Sequence, residues 1–209
     1  NKRKELNSSH YQVRYCNSLC IPLIVGVQKD RFEVHRDRLF SASSWFETNL
    51  NSGLQETSLQ QILLPADDPE VIEIFVQWLY KANPSFSIFT DETFMQLAKL
   101  YEFANRLFIR ELKNYIVWKL FELRKQNSIP PMSSVHYAFE HLPDNATFRK
   151  ILVAWFVWHQ ESARTLTADT LNMSPQFSTE LVLTMIKKQD GIPDLLSANP
   201  QSQYEIEDR

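Results

Sequence analysis

The chain has 209 residues, 44% of them hydrophobic, and a formal net charge of −3, which suits one globular domain or one domain with an appendage. Only three glycines and two cysteines argue against a turn-rich β-barrel and exclude a disulfide framework, and the acidic balance with no clustered basic face speaks against direct nucleic-acid binding. The densest apolar stretch, Ile151 to Trp158, is far short of the roughly 20 residues a membrane-spanning helix needs, so no membrane association is expected. Cys16 and Cys20 are too few for a disulfide framework and no secretory leader is apparent, which predicts an intracellular protein of the nucleus or cytoplasm.

Residues 1–18 open with Lys2, Arg3 and Lys4 and are only weakly patterned, so they are expected to form a flexible N-terminal segment. Leu23 to Val27 is a β-branched run. It is separated by Gln28, Lys29, Asp30 and Arg31 from the alternating Phe32-Glu33-Val34-His35, which predicts a hairpin with Phe32 and Val34 toward the core. Short helical patterns follow through Leu39, Phe40, Trp45, Phe46 and Leu50, ending near Gly53. Gln61 to Pro65 reads as a third strand stopped by proline.

The strongest helix start is Asp67-Asp68-Pro69-Glu70, with an acidic cap and proline in the first turn. Val71, Phe75, Trp78 and Leu79 then recur at helical spacing to about Tyr80. Pro84 breaks the pattern, Phe86 to Phe89 reads as a short strand, and Thr90-Asp91-Glu92 caps a helix carrying Phe94, Leu97, Ala98, Tyr101 and Ala104. A turn near Asn105 and Arg106 precedes a helix through Leu112, Tyr115, Ile116 and Trp118 to Phe121. Pro130-Pro131 marks an internal boundary. Beyond it helices are predicted over 133–141, 146–162 and 177–188, and residues 191–209 read as a flexible acidic tail.

On the 146–162 helix, Phe148, Ile151, Leu152, Trp155 and Phe156 mark one apolar face, while Val153, Val157 and Trp158 point elsewhere. Either a second layer of the chain covers that second face or it docks a partner, which makes Val153, Val157 and Trp158 candidate interaction residues. Little in the chain points to catalysis. The glycines are too scattered for a phosphate loop, and His136 and His141 are spaced wrongly for a zinc-binding helix. Cys16, Cys20 and His10 lack the second close pair of a structural zinc site. His35 has Asp37 nearby, but a strand-to-helix junction favours a hydrogen-bonding role over general-base chemistry. Asn145 matches a glycosylation pattern and is read instead as a helix cap. No catalytic residue, metal or cofactor is expected, and the chain is not read as an enzyme.

The order of Val25-Gly26, Phe32-Glu33-Val34-His35-Arg36-Asp37-Arg38-Leu39 and Ser41-Ala42-Ser43-Ser44-Trp45-Phe46 resembles the BTB/POZ signature. Gly53-Leu54-Gln55-Glu56-Thr57, Ile62-Leu63-Leu64-Pro65, Asp68-Pro69-Glu70-Val71 through Gln77-Trp78-Leu79-Tyr80, Leu97 to Tyr101 and Leu112-Lys113-Asn114 continue the likeness. Val135 to Phe139 and Phe148 to Leu152 make the chain most similar to BTB proteins of filamentous fungi. The resemblance implies an α+β fold: a small sheet flanked by helical hairpins over 19–126, followed by an all-helical extension over 130–190. It also implies a non-catalytic protein–protein interaction module for homo- or hetero-oligomeric assembly, a homodimer being one form. The alternative it offers is a substrate adaptor docking to a cullin-type ubiquitin ligase scaffold, or recruitment of transcription regulators. For cullin docking, the family's apolar residue followed two positions later by an acid falls on Phe89 and Asp91.

Overall fold

The structure is a computed structural model that describes residues 19–51, 61–81, 84, 91–126, 129–158, 164, 166–167 and 174–190. Strands β1 (Cys20–Val25) and β2 (Asp30–His35) form the expected hairpin, pairing antiparallel with Ile21 opposite Val34 and Leu23 opposite Phe32. Strand β3 (Ile62–Leu64) lies parallel to β1 on its other side, giving the order β2-β1-β3. Period-two geometry sends Ile21, Leu23, Val25, Val34, Ile62 and Leu64 to one buried face.

Gly26 at the hairpin turn has φ +67°. A Cβ there would meet the Pro69 ring and the Asp67 carbonyl at ordinary contact distances of 3.4–3.5 Å, so space is not what requires glycine, and the Gly26 N–H donates to the Leu64 carbonyl at 3.0 Å. Glycine is favoured here by the left-handed backbone of the turn.

Helices α1 (Arg36–Ala42) and α2 (Ser44–Asn51) follow the hairpin, and α3 (Pro69–Leu79) starts where its cap predicts: the Asp68 carboxylate accepts from the Glu70 N–H at 3.1 Å. Its buried side is broader than the four expected positions, since Ile72 and Ile74 join Val71, Phe75 and Leu79. Rings then run from helix to helix, Phe46 against Phe75 at 6.1 Å and Phe75 against Phe103 at 5.0 Å.

Helix α4 (Asp91–Arg106) continues through the expected turn at Asn105 and Arg106, and the chain reverses at Leu107 and Phe108 before α5 (Arg110–Lys125). The Leu107 N–H still donates to the Phe103 carbonyl at 3.1 Å, so backbone bonding carries the helix past the polar residues that suggested a break.

Pro131 stands at the N-cap position of α6 (Met132–His141), which is followed by α7 (Thr147–Trp158) and α8 (Pro175–Gln189). Asn145 does not cap α7: the helix begins at Thr147, which puts Ala146 at the capping position and leaves Asn145 exposed in the preceding turn. Ser174 caps α8, accepting from the Phe177 N–H.

Helix α4 is the shared wall of the molecule. Its Phe103 meets α3, while its Tyr101 packs on Phe148 at 5.3 Å and its Phe94 on Trp155 at 5.7 Å. The core is accordingly one continuous apolar cluster from β1 to α8, crossing the Pro130-Pro131 boundary without a gap. Among the described residues, no helix is long and apolar enough to cross a membrane.

Candidate protein-interaction surface

The expected contact residues fall in three kinds of place. Phe89 lies outside the described residues, and Asp91 opens α4. Val153 and Val157 are buried within this chain at 3% and 6% exposure, so as placed here they cannot touch a partner. Trp158 is partly buried. Helix α8 lies against α7 and reaches that second face at its end: Phe177 packs on Phe156 of the first face at 5.4 Å, while Lys188 donates to the Val157 carbonyl at 2.8 Å and its ammonium lies 5.8 Å from the Trp158 ring centre. Covering the face from within the chain is the first of the two outcomes the spacing allowed.

Composition and periodicity gave no warning of Arg149, which is 2% exposed on α7. Its guanidinium donates to the Asp144 and Glu180 carboxylates at 2.7 Å each and to the Leu142 carbonyl at 3.2 Å, and sits 4.2 Å from the Phe139 ring centre. One cation thus ties α6, the α6–α7 turn, α7 and α8 together. A cation at the start of an otherwise apolar helix, with Asp144 five residues before it, is the only local signal; Glu180, thirty-one residues away, leaves none.

A second polar group joins the loop before α3 to α4 and α6. Arg106 pairs with Asp67, and the Tyr137 hydroxyl donates to Glu102. Burial pushes the Asp67 carboxyl up, against the pull of Arg106. Desolvation and the Glu102 hydrogen bond push the Tyr137 hydroxyl well above its usual range. Next door, the hydrogen bond from Lys99 at 2.8 Å holds the Asp68 carboxyl below its ordinary value. These groups are spent on holding elements together.

His35 has the hydrogen-bonding role expected at its junction, though with a side chain. Its Nδ1 pairs with the Tyr80 hydroxyl, which also accepts from the His35 backbone N–H at 3.0 Å, tying the end of β2 to the end of α3. No group of three or more metal-ligating side chains comes together among the described residues.

Apolar side chains reach the surface at several places. Phe108 is 74% exposed at the α4–α5 turn, and Trp118 on α5 is 42% exposed beside Tyr115 and Lys119. Burial without a hydrogen-bond partner pushes the Tyr115 hydroxyl up to about 12. On α8, Val182, Leu183 and Ile186 are each about half exposed. Sequence periodicity could not separate these from core residues, because it reports an apolar position without saying what covers it.

The described residues form a mixed three-stranded sheet with helical hairpins around it. Residues 13–116 match the BTB/POZ domain family, ending within α5, and the chain therefore carries a BTB/POZ domain of α+β fold. Domains of this family generally mediate protein–protein interaction and oligomerisation and are generally non-enzymatic. A comparison with curated proteins finds no match.

Proposed function

We propose that the chain is a non-catalytic interaction module that assembles homo- or hetero-oligomers, and that Phe108 is one of its contact residues. In this reading residues 19–126 form the domain, and the helices of 130–190 brace α4 from its other side. The α4–α5 turn carries the proposal. Phe108 holds φ at +56°, a left-handed conformation that costs a bulky residue on the order of 1–3 kcal/mol and that glycine would adopt without strain. The turn is held in place: Ser43 Oγ donates to the Leu107 carbonyl at 2.6 Å and the Ile109 N–H to the Ala104 carbonyl at 2.8 Å. An aromatic presented to solvent on a held turn suits the anchor of an interface, and among the described residues Phe108 is not part of the apolar core or packed against it.

The narrower reading, a substrate adaptor docking to a cullin-type scaffold, rests on Phe89 and Asp91; no residue favours transcription-regulator recruitment. Asp91 and Phe108 flank α4 at opposite ends, about 25 Å apart at 1.5 Å per residue, so variants at the two ends report separately. Light scattering on the full chain, together with calorimetric titration against a purified cullin N-terminal region, tests both. Phe108→Ala is expected to weaken assembly or partner binding at least about tenfold, while Phe108→Gly raises thermal stability by about 1 kcal/mol with the same loss of binding. Binding unchanged in Phe108→Ala overturns the contact role. Titration heat lost only in the Phe89→Ala/Asp91→Ala double variant would favour the adaptor reading.

A further inference from the structure

Strand β2 is an edge of the sheet, with β1 on one side and no strand on the other among the described residues. In an antiparallel pair, alternate residues turn their N–H and C=O toward the neighbouring strand, and the residues between them turn theirs away. Two observations fix which are which. Glu33 stands opposite Pro22, which has no N–H to give, and the His35 N–H goes to the Tyr80 hydroxyl at 3.0 Å instead of to β1. Arg31, Glu33 and His35 therefore point their main-chain groups outward. At Arg31 and Glu33 no described residue meets these groups, and the two side chains are 61% and 49% exposed. Such an edge is a template for another strand.

We infer that this edge pairs with β2 of a second copy, the two strands running antiparallel about a two-fold axis at Phe32. The inference rests on the homo-oligomeric form of the proposed assembly. Hydrogen bonds and charges select the same register. With Phe32 facing the partner copy's Phe32, Arg31 lies opposite the partner copy's Glu33, and Glu33 opposite its Arg31. Each of these pairs joins two outward-facing residues, so each exchanges two main-chain hydrogen bonds and sets a cation across from a carboxylate. Arg31 bridges to Glu33 along its own strand at 2.6 Å, and a carboxylate can accept from two guanidinium groups, so the two contacts coexist. Moving the axis by one residue sets Glu33 against Glu33 or Arg31 against Arg31, and an axis between residues sets outward groups against inward ones. His35, bound to Tyr80, and Lys29, in the left-handed turn at φ +59°, end the ladder. So short a ladder buries less than the roughly 800 Å² per partner of a stable interface, and the dimer is concentration-dependent.

Sedimentation equilibrium on the full chain over a wide concentration range is expected to show reversible dimerisation. Arg31→Glu and Glu33→Arg should each raise the dimer dissociation constant at least about tenfold, because each sets like charges across the axis. Circular dichroism and melting temperature should be retained, since both residues are on the surface. An equal mixture of the two variants should dimerise again, every cross-strand pair then being of opposite charge, and Phe108→Ala should leave the equilibrium unchanged. A strictly monomeric wild-type chain overturns the inference and leaves the proposed assembly in its hetero-oligomeric form. A dimer that survives both single substitutions, or a mixture that fails to recover, also overturns it. If that surviving dimer is lost in Phe108→Ala, self-association belongs to the α4–α5 turn and the proposed assembly stands.

Discussion

From β1 to α5 the buried side chains among the described residues are apolar apart from Ser43 and Thr93, whereas the helices from α6 to α8 close around Arg149. The first region is held by a column of rings, Phe46, Phe75 and Phe103, whose contacts tolerate small shifts. The second is held by a planar cation whose donors find Asp144, Glu180 and the Leu142 carbonyl in one arrangement of the helices. Apolar burial supplies the larger stabilisation, and a buried ion contributes less net energy while restricting geometry more. In this chain the restriction falls where it is needed. Among the described residues α8 buries only Phe177 and Leu181 fully, so without the clamp little would set its register on α7.

The largest expected effect is in the ring column: Phe75→Ala should destabilise the chain by about 3–5 kcal/mol in urea titration, as expected for a fully buried ring. Arg149→Ala should cost about 2–3 kcal/mol, less than breaking a fully buried pair, because Asp144 is 88% exposed and Glu180 32% exposed and both carboxylates can hydrate. Arg149→Met should stay within about 1 kcal/mol of wild type, yet α8 amides should exchange faster in it. An Arg149→Met chain with α8 protection intact would remove the distinction between energy and register drawn above.

The smallest effect is electrostatic and has a definite sign. Lys99 and the helix cap depress the Asp68 carboxyl, so its contribution is complete above the unfolded value of 3.8 and is lost as pH falls through its lower folded value. Asp68→Asn should therefore cost at most about 1 kcal/mol at neutral pH, since the ion pair is partly exposed and screened, with the difference from wild type shrinking below pH 3.8. Asp67, raised by burial, works in the opposite sense and favours the folded chain as it protonates. A difference between Asp68→Asn and wild type that grew on acidification would contradict this assignment.

The hairpin, the Asp68 cap of α3 and the helices from α4 to α8 were legible because each leaves a local mark: alternation, a capping residue, or a stripe at three and four. Element ends leave a weaker mark. At the α4–α5 turn Asn105 and Arg106 look like a break, whereas helical hydrogen bonds run through them to Leu107. At the start of α7, Asn145 looked like the cap, but the helix begins one residue later than that cap would require.

By itself, the sequence determined the α+β order of elements, the family and the apolar positions, since these follow from periodicities and motifs within short windows of chain. Only the tertiary structure decided that Val153 and Val157 are covered, that Arg149 is sealed among partners from three segments, and that Phe108, Val182, Leu183 and Ile186 face solvent. Burial depends on what another part of the chain places against a residue, and that is a property of contacts distant in sequence, which no local pattern encodes.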